Sequence, residues 1–302
     1  MFTFGWDLAT LSFLVSAFAP ALVVLLALWG DQLRRRYRRS KKPNLQERLL
    51  RPPGYSLSLR LEELTDNLIN RIIGSVILCG LTGTEAALAT QYIADSFPII
   101  PTLLLFGLAA ATGVPGAIYA VSAYRTMRES HIVRIGLRGE QATAEALAET
   151  ADAGFRSFHD IPAGEDWNID HVAVGPKGVF LVETKALKRK SANGDQPEHE
   201  VKFDGHTLAF PFGPDRDTVI QARRNAKWLS DYLVRKVGHV IPVDTIVVLP
   251  GWSVDGRNGP VKAMNCNYLT KYLRGQNDKL PPDHVSRIAD ALDEKNRTLE
   301  IW

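Results

Sequence analysis

The sequence contains very little cysteine: two residues in 302, Cys79 and Cys266, so no disulfide framework is indicated. This scarcity suits a reducing compartment. Neither the cysteines nor the seven histidines show the spacing of zinc ligands, which excludes the common zinc-site patterns. The chain also lacks internal repeats and low-complexity segments.

The apolar residues are distributed unevenly, although the net charge of +3 is that of an ordinary soluble protein. Nearly all long apolar runs lie within residues 1–124. The remaining stretch of about 170 residues mixes polar and apolar residues, and it is long enough for one domain with its own core.

The first apolar segment, residues 8–30, is long enough to span a bilayer. A cleaved signal peptide is disfavoured, because no basic residue precedes the segment and the basic run 34–39 follows it directly. Positive flanks stay in the cytoplasm, so this helix should run from outside to inside. We expect the basic cluster 34–42 to contact anionic lipid headgroups.

Two further apolar segments, 72–94 and 97–124, are joined by a very short connection without a basic residue. The first of them is the weaker span and contains Glu85, an intramembrane carboxylate that signals function unless it lies near the interface or packs against other helices. We favour these structural alternatives, an interfacial position or packing against other helices, over a functional role. The two segments predict a helical hairpin, whose glycines could support packing within or between chains, including a homo-oligomer: Gly107, Gly113 and Gly116.

Three spans place the basic flanks and the large carboxy-terminal domain in the cytoplasm, as in a multi-pass protein of a bacterial inner or plasma membrane. The predicted organisation is a first transmembrane helix (1–30), a basic cytoplasmic linker (31–70), a transmembrane hairpin (71–124), a domain (131–252) and a carboxy-terminal extension (253–302).

Residues 168–174 and 179–184 read as two strands of a β-hairpin, because both alternate and are rich in β-branched residues. Residues 175–178, Gly-Pro-Lys-Gly, have the composition of a turn. A symmetric turn places Asp170 directly opposite Glu183. Opposed like charges repel, so a cation between them is expected.

Lys185 lies two residues after Glu183 and therefore on the same face of its strand. Asp170, Glu183 and Lys185 on one sheet face predict a Mg²⁺ site, or a Mn²⁺ site, with a cationic group beside the attacking water.

The rest of the carboxy-terminal half predicts an α/β sandwich whose central strands are covered on both faces. The expected elements are a helix over 136–149, a strand over 155–161, the two hairpin strands, an irregular excursion over 192–214 with a small hairpin near 204–205, a helix over Asp217–Val237, a strand over 243–249 and a helix over Pro282–Asn296.

An ordered set of short motifs then carries a resemblance. The motifs are Gly136-Leu137-Arg138-Gly139-Glu140, His159-Asp160, Ile169-Asp170-His171, Gly178-Val179-Phe180, Val182-Glu183-Thr184-Lys185, and Gln221-Ala222 with Asn225. Residues 132–252 resemble the nuclease-related domain, NERD, of the PD-(D/E)xK or restriction-endonuclease-like superfamily. An E-x-K triplet alone is weak, and the ordered set is the stronger signal. The resemblance implies a restriction-endonuclease-like α-β-β-β-α-β core. It does not cover the α-helical membrane region of about three spans that the apolar segments predict ahead of this core.

The resemblance implies a role for each matched residue. Asp170 and Glu183 would be the metal ligands, with the main-chain carbonyl of Thr184 as a third. Lys185 would orient or help deprotonate the attacking water and stabilise charge on the phosphate. Glu140 would complete the acidic cluster, and Gln221 would contact a phosphate or a water of the metal. Related nucleases often carry an aromatic residue at the position of Asn225, so that role is not transferred.

Each of these residues also has a structural interpretation. Asp170 and Glu183 could form an ion pair with Lys185, although such a pair gains little stability when it is buried. Glu140 could be a solvated residue near the helix dipole, and Gln221 a helix-surface residue. His171 points away from Asp170 by strand alternation, so it is expected to be a buried packing or hydrogen-bonding residue.

Basic residues beyond Lys185 could track a phosphate backbone, or they could serve only solubility: Lys188, Arg189, Lys190, Arg223, Arg224 and Lys227. The leading hypothesis is a Mg²⁺-dependent phosphodiesterase that cleaves nucleic acid, with DNA favoured, at the inner face of the membrane. The alternatives are a non-catalytic module that tethers DNA and a membrane scaffold that binds protein or lipid.

Overall fold

The computed structural model of the chain describes residues 29–30, 48–94, 99–165, 167–188, 199–256 and 259–300. The chain divides into two compact units. Of the described residues, one unit contains 29–30, 63–94 and 99–129, and the other contains 48–62 and those from 130 to 300. The predicted first span, residues 8–30, and the run 31–47 of the basic linker lie outside the described residues except for positions 29 and 30.

A short strand and two long helices begin the described chain: β1 (Arg48–Leu50), α1 (Tyr55–Ala94) and α2 (Ile99–Ala148). The sequence predicted four separate segments here: the linker that ends at residue 70, the apolar segments 72–94 and 97–124, and the helix 136–149. The structure has two continuous helices instead. The expected linker ending at residue 70 continues without a break into the second apolar segment. The third apolar segment likewise continues into the expected 136–149 helix. The joining residues, 69–72 and 125–135, contain neither proline nor glycine, so nothing in them interrupts a helix.

Within the described residues, two helical stretches are long and apolar enough to cross a membrane: Tyr55–Ala86 and Phe106–Ala148. Their most apolar windows have mean hydropathies of 1.3 and 1.4, and only 6% and 11% of those windows are buried inside the protein. Long apolar helices with exposed apolar surfaces are typical of segments that face lipid.

Small and polar residues line the contact between the two helices in the unit that contains residues 63–129. A Cβ atom at Gly113 would lie 3.1 Å from Thr82, and one at Gly116 would lie 3.2 Å from Cys79. Thr112 donates a 2.8 Å hydrogen bond to Glu85. Glu85 therefore packs against the neighbouring helix, as one of the two favoured alternatives predicted, and two of the three predicted glycines are at the helix contact.

The other unit contains the mixed α/β architecture. Its further elements are a 3₁₀ turn (Ala151–Ala153), β2 (Arg156–Pro162), β3 (Asn168–Gly175), β4 (Gly178–Thr184), β5 (Glu200–Phe203), β6 (Leu208–Phe210), β7 (Gly213–Asp215), α3 (Asp217–Val237), β8 (Val243–Val248), β9 (Ser253–Gly256), β10 (Val261–Met264), α4 (Cys266–Arg274), α5 (Pro282–Asn296) and β11 (Arg297–Glu300).

The main sheet has five strands in the order β10-β8-β4-β3-β2. Strands β2, β3 and β4 are antiparallel neighbours, whereas β4, β8 and β10 run parallel. The hairpin of β3 and β4 has the predicted register, since His171 pairs with Val182 and Gly175 with Gly178. The turn composition of residues 175–178 and the alternation of both strands account for this agreement.

Helices cover both faces of this sheet. On one face, α3 and α5 bury apolar residues that include Val172, Leu181 and Leu233. On the other face, the end of α2 and helix α4 bury a second cluster that includes Leu147, Phe180 and Leu269. Because both faces are covered, every residue of β4 from Gly178 to Glu183 is buried.

A second sheet has the order β7-β6-β5-β9 and packs on α3 through a third apolar cluster. Its β5–β6 hairpin turns at residues 204–207, close to where the sequence predicted a small hairpin. Asp204 holds that turn, since its side chain accepts hydrogen bonds from the main-chain N–H groups of His206 and Thr207.

The compact unit extends beyond the predicted boundary at residue 252. Strand β10 pairs with β8 in the main sheet, and α5 covers β2 and β3. Tyr232 on α3 also donates a 2.8 Å hydrogen bond to the carbonyl of Ala291 on α5. The expected carboxy-terminal extension therefore completes the domain core.

Candidate active site

Asp170 lies near the start of β3, between β2 and β4. The β2–β3 register pairs His159 with His171 and Ile161 with Ile169, which puts Asp160 opposite Asp170. The β3–β4 register puts Glu183 on the other side of Asp170, as predicted. Three carboxylates therefore lie side by side across three neighbouring strands. The main-chain N–H of Thr184 donates a 2.8 Å hydrogen bond to Asp170 Oδ2.

Glu183 is buried and faces helix α3. Gln221 Nε2 donates to Glu183 Oε1 at 2.6 Å, and Asn225 Nδ2 donates to Glu183 Oε2 at 2.9 Å. Residues four apart share one face of a helix, so the two amides reach the same carboxylate. Gln221 thus lies at the site as expected, and Asn225 is an additional member that the missing aromatic residue had led us to set aside.

Glu140 reaches the cluster from α2. Its side chain is 8% exposed, and its Oε2 atom has no hydrogen-bond partner among the described residues. The main-chain N–H of Gly54 donates to this carboxyl group. A solvated role for Glu140 on the helix surface does not fit this burial.

The three acidic groups take up protons more readily than ordinary carboxyl groups do. Burial, followed by repulsion from Asp170 and Asp160, raises the pKa of Glu140 to about 9. Burial raises the pKa of Asp170 to about 7 despite the hydrogen bond from Thr184. Burial and the charge of Asp170 raise the pKa of Glu183 well above its ordinary value, although Asn225 and Arg224 oppose this shift. Buried like charges of this kind are typical of functional sites.

Lys185 follows β4 on the same side as Glu183, but its ammonium group is bound elsewhere. Lys185 Nζ lies 3.2 Å from Asp215 Oδ2, and among the described residues no ion pair joins it to Asp170 or Glu183. Asp215 also accepts hydrogen bonds from the N–H and hydroxyl of Thr218 at the start of α3. An aspartate ahead of a helix start is a capping signal, and this signal could have identified Asp215 from sequence.

Thr184 connects the site to a pair of histidines on the opposite face of the sheet, the buried His171 and the half-buried His159. Its hydroxyl group lies 3.2 Å from His171 Nε2 and donates a 3.0 Å hydrogen bond to Thr143 on α2. His171 Nδ1 lies 2.8 Å from His159 Nδ1. Burial lowers the pKa of His159 to about 4 and that of His171 well below its ordinary value. His171 is therefore the buried hydrogen-bonding residue that strand alternation predicted.

The basic residues that were predicted to contact nucleic acid have different surroundings in the structure. Arg223 is committed to the β5–β6 turn, where it donates to the carbonyl of Gly205. Arg224 lies over the ring of Trp167 at 4.7 Å, and its charge acts on Glu183. Lys188 is exposed, and Lys227 pairs with Asp231 on the helix surface. Arg189 and Lys190 lie outside the described residues.

The donor set of the cluster suits a hard cation such as Mg²⁺, which prefers carboxylate oxygen ligands. Asp170 and Glu183 stand side by side, and the unpartnered Glu140 Oε2 is a further buried oxygen. Within the described residues, no group of three or more His, Cys, Asp or Glu side chains is arranged to hold a metal by itself. The fit therefore depends on the two adjacent carboxylates, with main-chain or solvent oxygens as the remaining ligands.

The raised pKa values predict how stability depends on pH without divalent metal. The unfolded state loses both protons near the ordinary carboxyl pKa values of 3.8 and 4.5, whereas the folded state loses the proton of Asp170 at about pH 7 and that of Glu140 at about pH 9. Stability should therefore fall as pH rises through this window. We expect the unfolding temperature of the metal-free chain to be lower at pH 9 than at pH 7, as followed by tryptophan emission. Asp170→Asn should reduce the slope, and an unfolding temperature that rises across the window would contradict the assignment.

The fold and the site together define a mixed α/β domain with a largely buried acidic cluster on the neighbouring strands β2, β3 and β4 of its main sheet. Residues 135–250 match the family model of NERD, the nuclease-related domain. This match agrees with the resemblance to NERD that the ordered motifs predicted. No curated protein and no solved structure matches the chain.

Proposed function

We propose that the chain is a Mg²⁺-dependent nuclease that hydrolyses phosphodiester bonds of nucleic acid, DNA in preference to RNA, and is anchored at the cytoplasmic face of a membrane. The observation that carries this proposal is the adjacent pair of partly buried Asp170 and buried Glu183, both raised in pKa, on neighbouring strands within the region that matches the nuclease-related domain. Two carboxylates that repel each other in this way favour a bound cation.

Asp170 and Glu183 would hold the metal, with the carbonyl of Thr184 available as a third ligand. A bound Mg²⁺ would act as a Lewis acid on the phosphate. Gln221 and Asn225 orient Glu183 through both of its oxygens, and the N–H of Thr184 orients Asp170. Such hydrogen bonds fix the direction of ligating oxygens.

Lys185 would stabilise the negative charge that develops on the phosphate during hydrolysis. Its side chain is 35% exposed, and its ion pair with Asp215 is open to solvent on the lysine side. A partly exposed pair of this kind contributes little stability, about 0–1 kcal/mol, so exchange of Asp215 for a phosphate costs little.

Arg224 is the residue we assign to the nucleic-acid surface nearest the acidic cluster, with Lys188 and Lys227 further out. Arg224→Gln should weaken the binding of a labelled oligonucleotide in EDTA, because one phosphate contact is lost. The slope of log affinity against log salt concentration should become shallower by about one. Fluorescence anisotropy at several salt concentrations measures both quantities. Arg235→Gln, an exposed position near the end of the same helix, is the control. Equal effects of the two substitutions would reject the assignment.

The orientation in the membrane follows from Arg125 and Arg128, which come directly after the apolar part of α2. Basic flanks remain on the cytoplasmic side. We expect a carboxy-terminal green fluorescent protein fusion of the full chain to fluoresce and a matched alkaline phosphatase fusion to be inactive in a bacterial host. The reverse result would place the nuclease-related domain outside.

A non-catalytic role in tethering nucleic acid is the second candidate, and one observation favours it. Both oxygens of Glu183 accept hydrogen bonds, and Lys185 is paired with Asp215. In that case binding would be sensitive to salt, would survive Asp170→Ala and would be accompanied by no cleavage with any metal.

Cleavage assays should use the full chain. A fragment that begins near residue 130 would lack residues 48–62, which belong to the same compact unit as the nuclease-related domain. Metal-dependent cleavage by the full chain that is lost in EDTA supports the proposal. An intact, metal-binding chain that cuts neither DNA nor RNA favours the tethering role.

A further inference from the structure

A segment far ahead of the family-matched region contacts the acidic cluster. We call residues 48–56 the strap. Strand β1 of the strap pairs antiparallel with β11, with Leu49 opposite Leu299. Arg51 Nε donates a 2.6 Å hydrogen bond to the hydroxyl of Thr298. Strand β11, near the carboxy-terminal end of the domain, thus holds the strap, whose last residues, Tyr55 and Ser56, begin α1.

Asp160 is the main attachment point of the strap. Arg51 Nη1 lies 3.1 Å from Asp160 Oδ2. Ser56 donates twice, from its main-chain N–H to Oδ1 at 3.2 Å and from its hydroxyl to Oδ2 at 2.9 Å. Asn168 on β3 donates a further hydrogen bond to Oδ1 at 3.1 Å. Asp160 is 4% exposed, so this is a buried carboxylate with a complete set of partners.

The backbone of Asp160 is also unusual. Its φ is 52°, and no other non-glycine residue in the described part of the chain has a positive φ. Backbone strain of this kind persists only where the surroundings enforce it, and it is concentrated at functional sites. Here it occurs where β2 places Asp160 opposite Asp170.

A second contact brings the strap to Glu140. Gly54 has φ 71°, and its main-chain N–H donates to the Glu140 carboxyl group. A Cβ atom at Gly54 would lie 3.7 Å from Glu140 Oε2 and only 2.3 Å from Leu137 Cδ1. Glycine is therefore required there both for its backbone conformation and for the close approach.

We propose that the strap completes the candidate active site: Arg51 and Ser56 are positioning residues that hold Asp160 opposite Asp170, and Gly54 closes the cluster over Glu140. Without Arg51, the buried charge of Asp160 would face Asp170 with no cation beside it, which is a costly arrangement. The effect on catalysis rests on the proposed function, whereas the effect on the order of the cluster does not.

The test compares Arg51→Gln with the double variant Arg51→Gln/Asp160→Asn in the purified full chain in detergent. Arg274→Gln is the control, because Arg274 pairs with Asp152 outside the cluster. The first readout is amide hydrogen exchange without metal. Arg51→Gln should speed exchange in the strap and also in peptides covering 158–172, and the double variant should restore protection in 158–172. Faster exchange confined to the strap would overturn the proposal.

The second readout separates this proposal from the proposed nuclease activity. If the natural chain cleaves DNA, Arg51→Gln should lower the rate and the affinity for Mn²⁺ by roughly 10–100-fold, the usual effect of losing a residue that supports metal ligands. Unchanged Mn²⁺ affinity would overturn the positioning role. If the natural chain cleaves nothing, the nuclease proposal fails, and the exchange result alone decides the role of the strap.

Discussion

Asp170→Asn is expected to reduce metal-dependent hydrolysis by about a hundredfold or more while leaving the metal-free fold at least as stable. Loss of a metal ligand removes several kcal/mol of transition-state stabilisation, and each 1.4 kcal/mol is about tenfold in rate. Asparagine can still accept the hydrogen bond from Thr184, and it removes a buried charge that faces Asp160 and Glu183. Cleavage rates and unfolding temperatures measure the two effects.

Asp244→Asn is the matched control, since Asp244 lies on β8 of the same sheet and pairs with Lys279 and Lys262 at the surface. It makes the same chemical change outside the cluster and should leave the cleavage rate unchanged. Equal loss of activity in the two variants would show that Asp170 acts through general folding rather than through the site.

Lys185→Met is expected to lower the cleavage rate by about 10²–10³-fold, the usual effect of removing one group that stabilises transition-state charge. Metal affinity should be retained, because Lys185 contacts neither Asp170 nor Glu183 within ion-pair distance among the described residues. The loss of its partly exposed bond to Asp215 should cost at most about 1 kcal/mol of stability. Single-turnover cleavage and Mn²⁺ titration distinguish the two effects.

Lys262→Met on β10 is the control for this substitution. Lys262 has a similar partial exposure and also pairs with an aspartate, Asp244, at 3.7 Å. If Lys185→Met cleaves as fast as Lys262→Met, Lys185 has no catalytic part, and its function is to bind Asp215 at the start of α3.

Local sequence signals predicted much of the domain. Turn composition and strand alternation set the β3–β4 register, and with it the neighbourhood of Asp170 and Glu183. The helix over Asp217–Val237 has a strong two-sided pattern, so its bounds were predicted from the sequence. These features depend on residues that are near one another in the chain. The place of exposed Gln221 beside Glu183 came from the family resemblance and not from this pattern.

The parts that sequence reasoning missed depend on contacts between distant segments. Asp160 was part of a matched motif, but its position opposite Asp170 depends on a positive φ that periodicity does not reveal. Asn225 was set aside because the family pattern suggested an aromatic residue there. The strap is separated from Asp160 by two long helices in sequence, and no local pattern links Arg51 to that carboxylate.

The helix boundaries failed for a different reason. Composition changes sharply near residues 70 and 124, and the predicted helix boundaries followed those changes. The polarity of a segment indicates whether it contacts water or an apolar environment. Whether a helix continues depends instead on the helix propensity of its residues. Neither junction contains a proline or glycine that would break a helix. A single helix, α2, therefore carries both an apolar stretch and Glu140.

The central claim is tested most directly by incubating supercoiled plasmid with the purified full chain in detergent, with Mg²⁺, Mn²⁺ or EDTA, beside Glu183→Ala. We expect nicking or linearisation with either metal, none in EDTA and none with Glu183→Ala. Cleavage that persists in Glu183→Ala, or a metal-binding, folded chain that cuts under no condition, would contradict the assignment of Asp170 and Glu183 as the catalytic metal site.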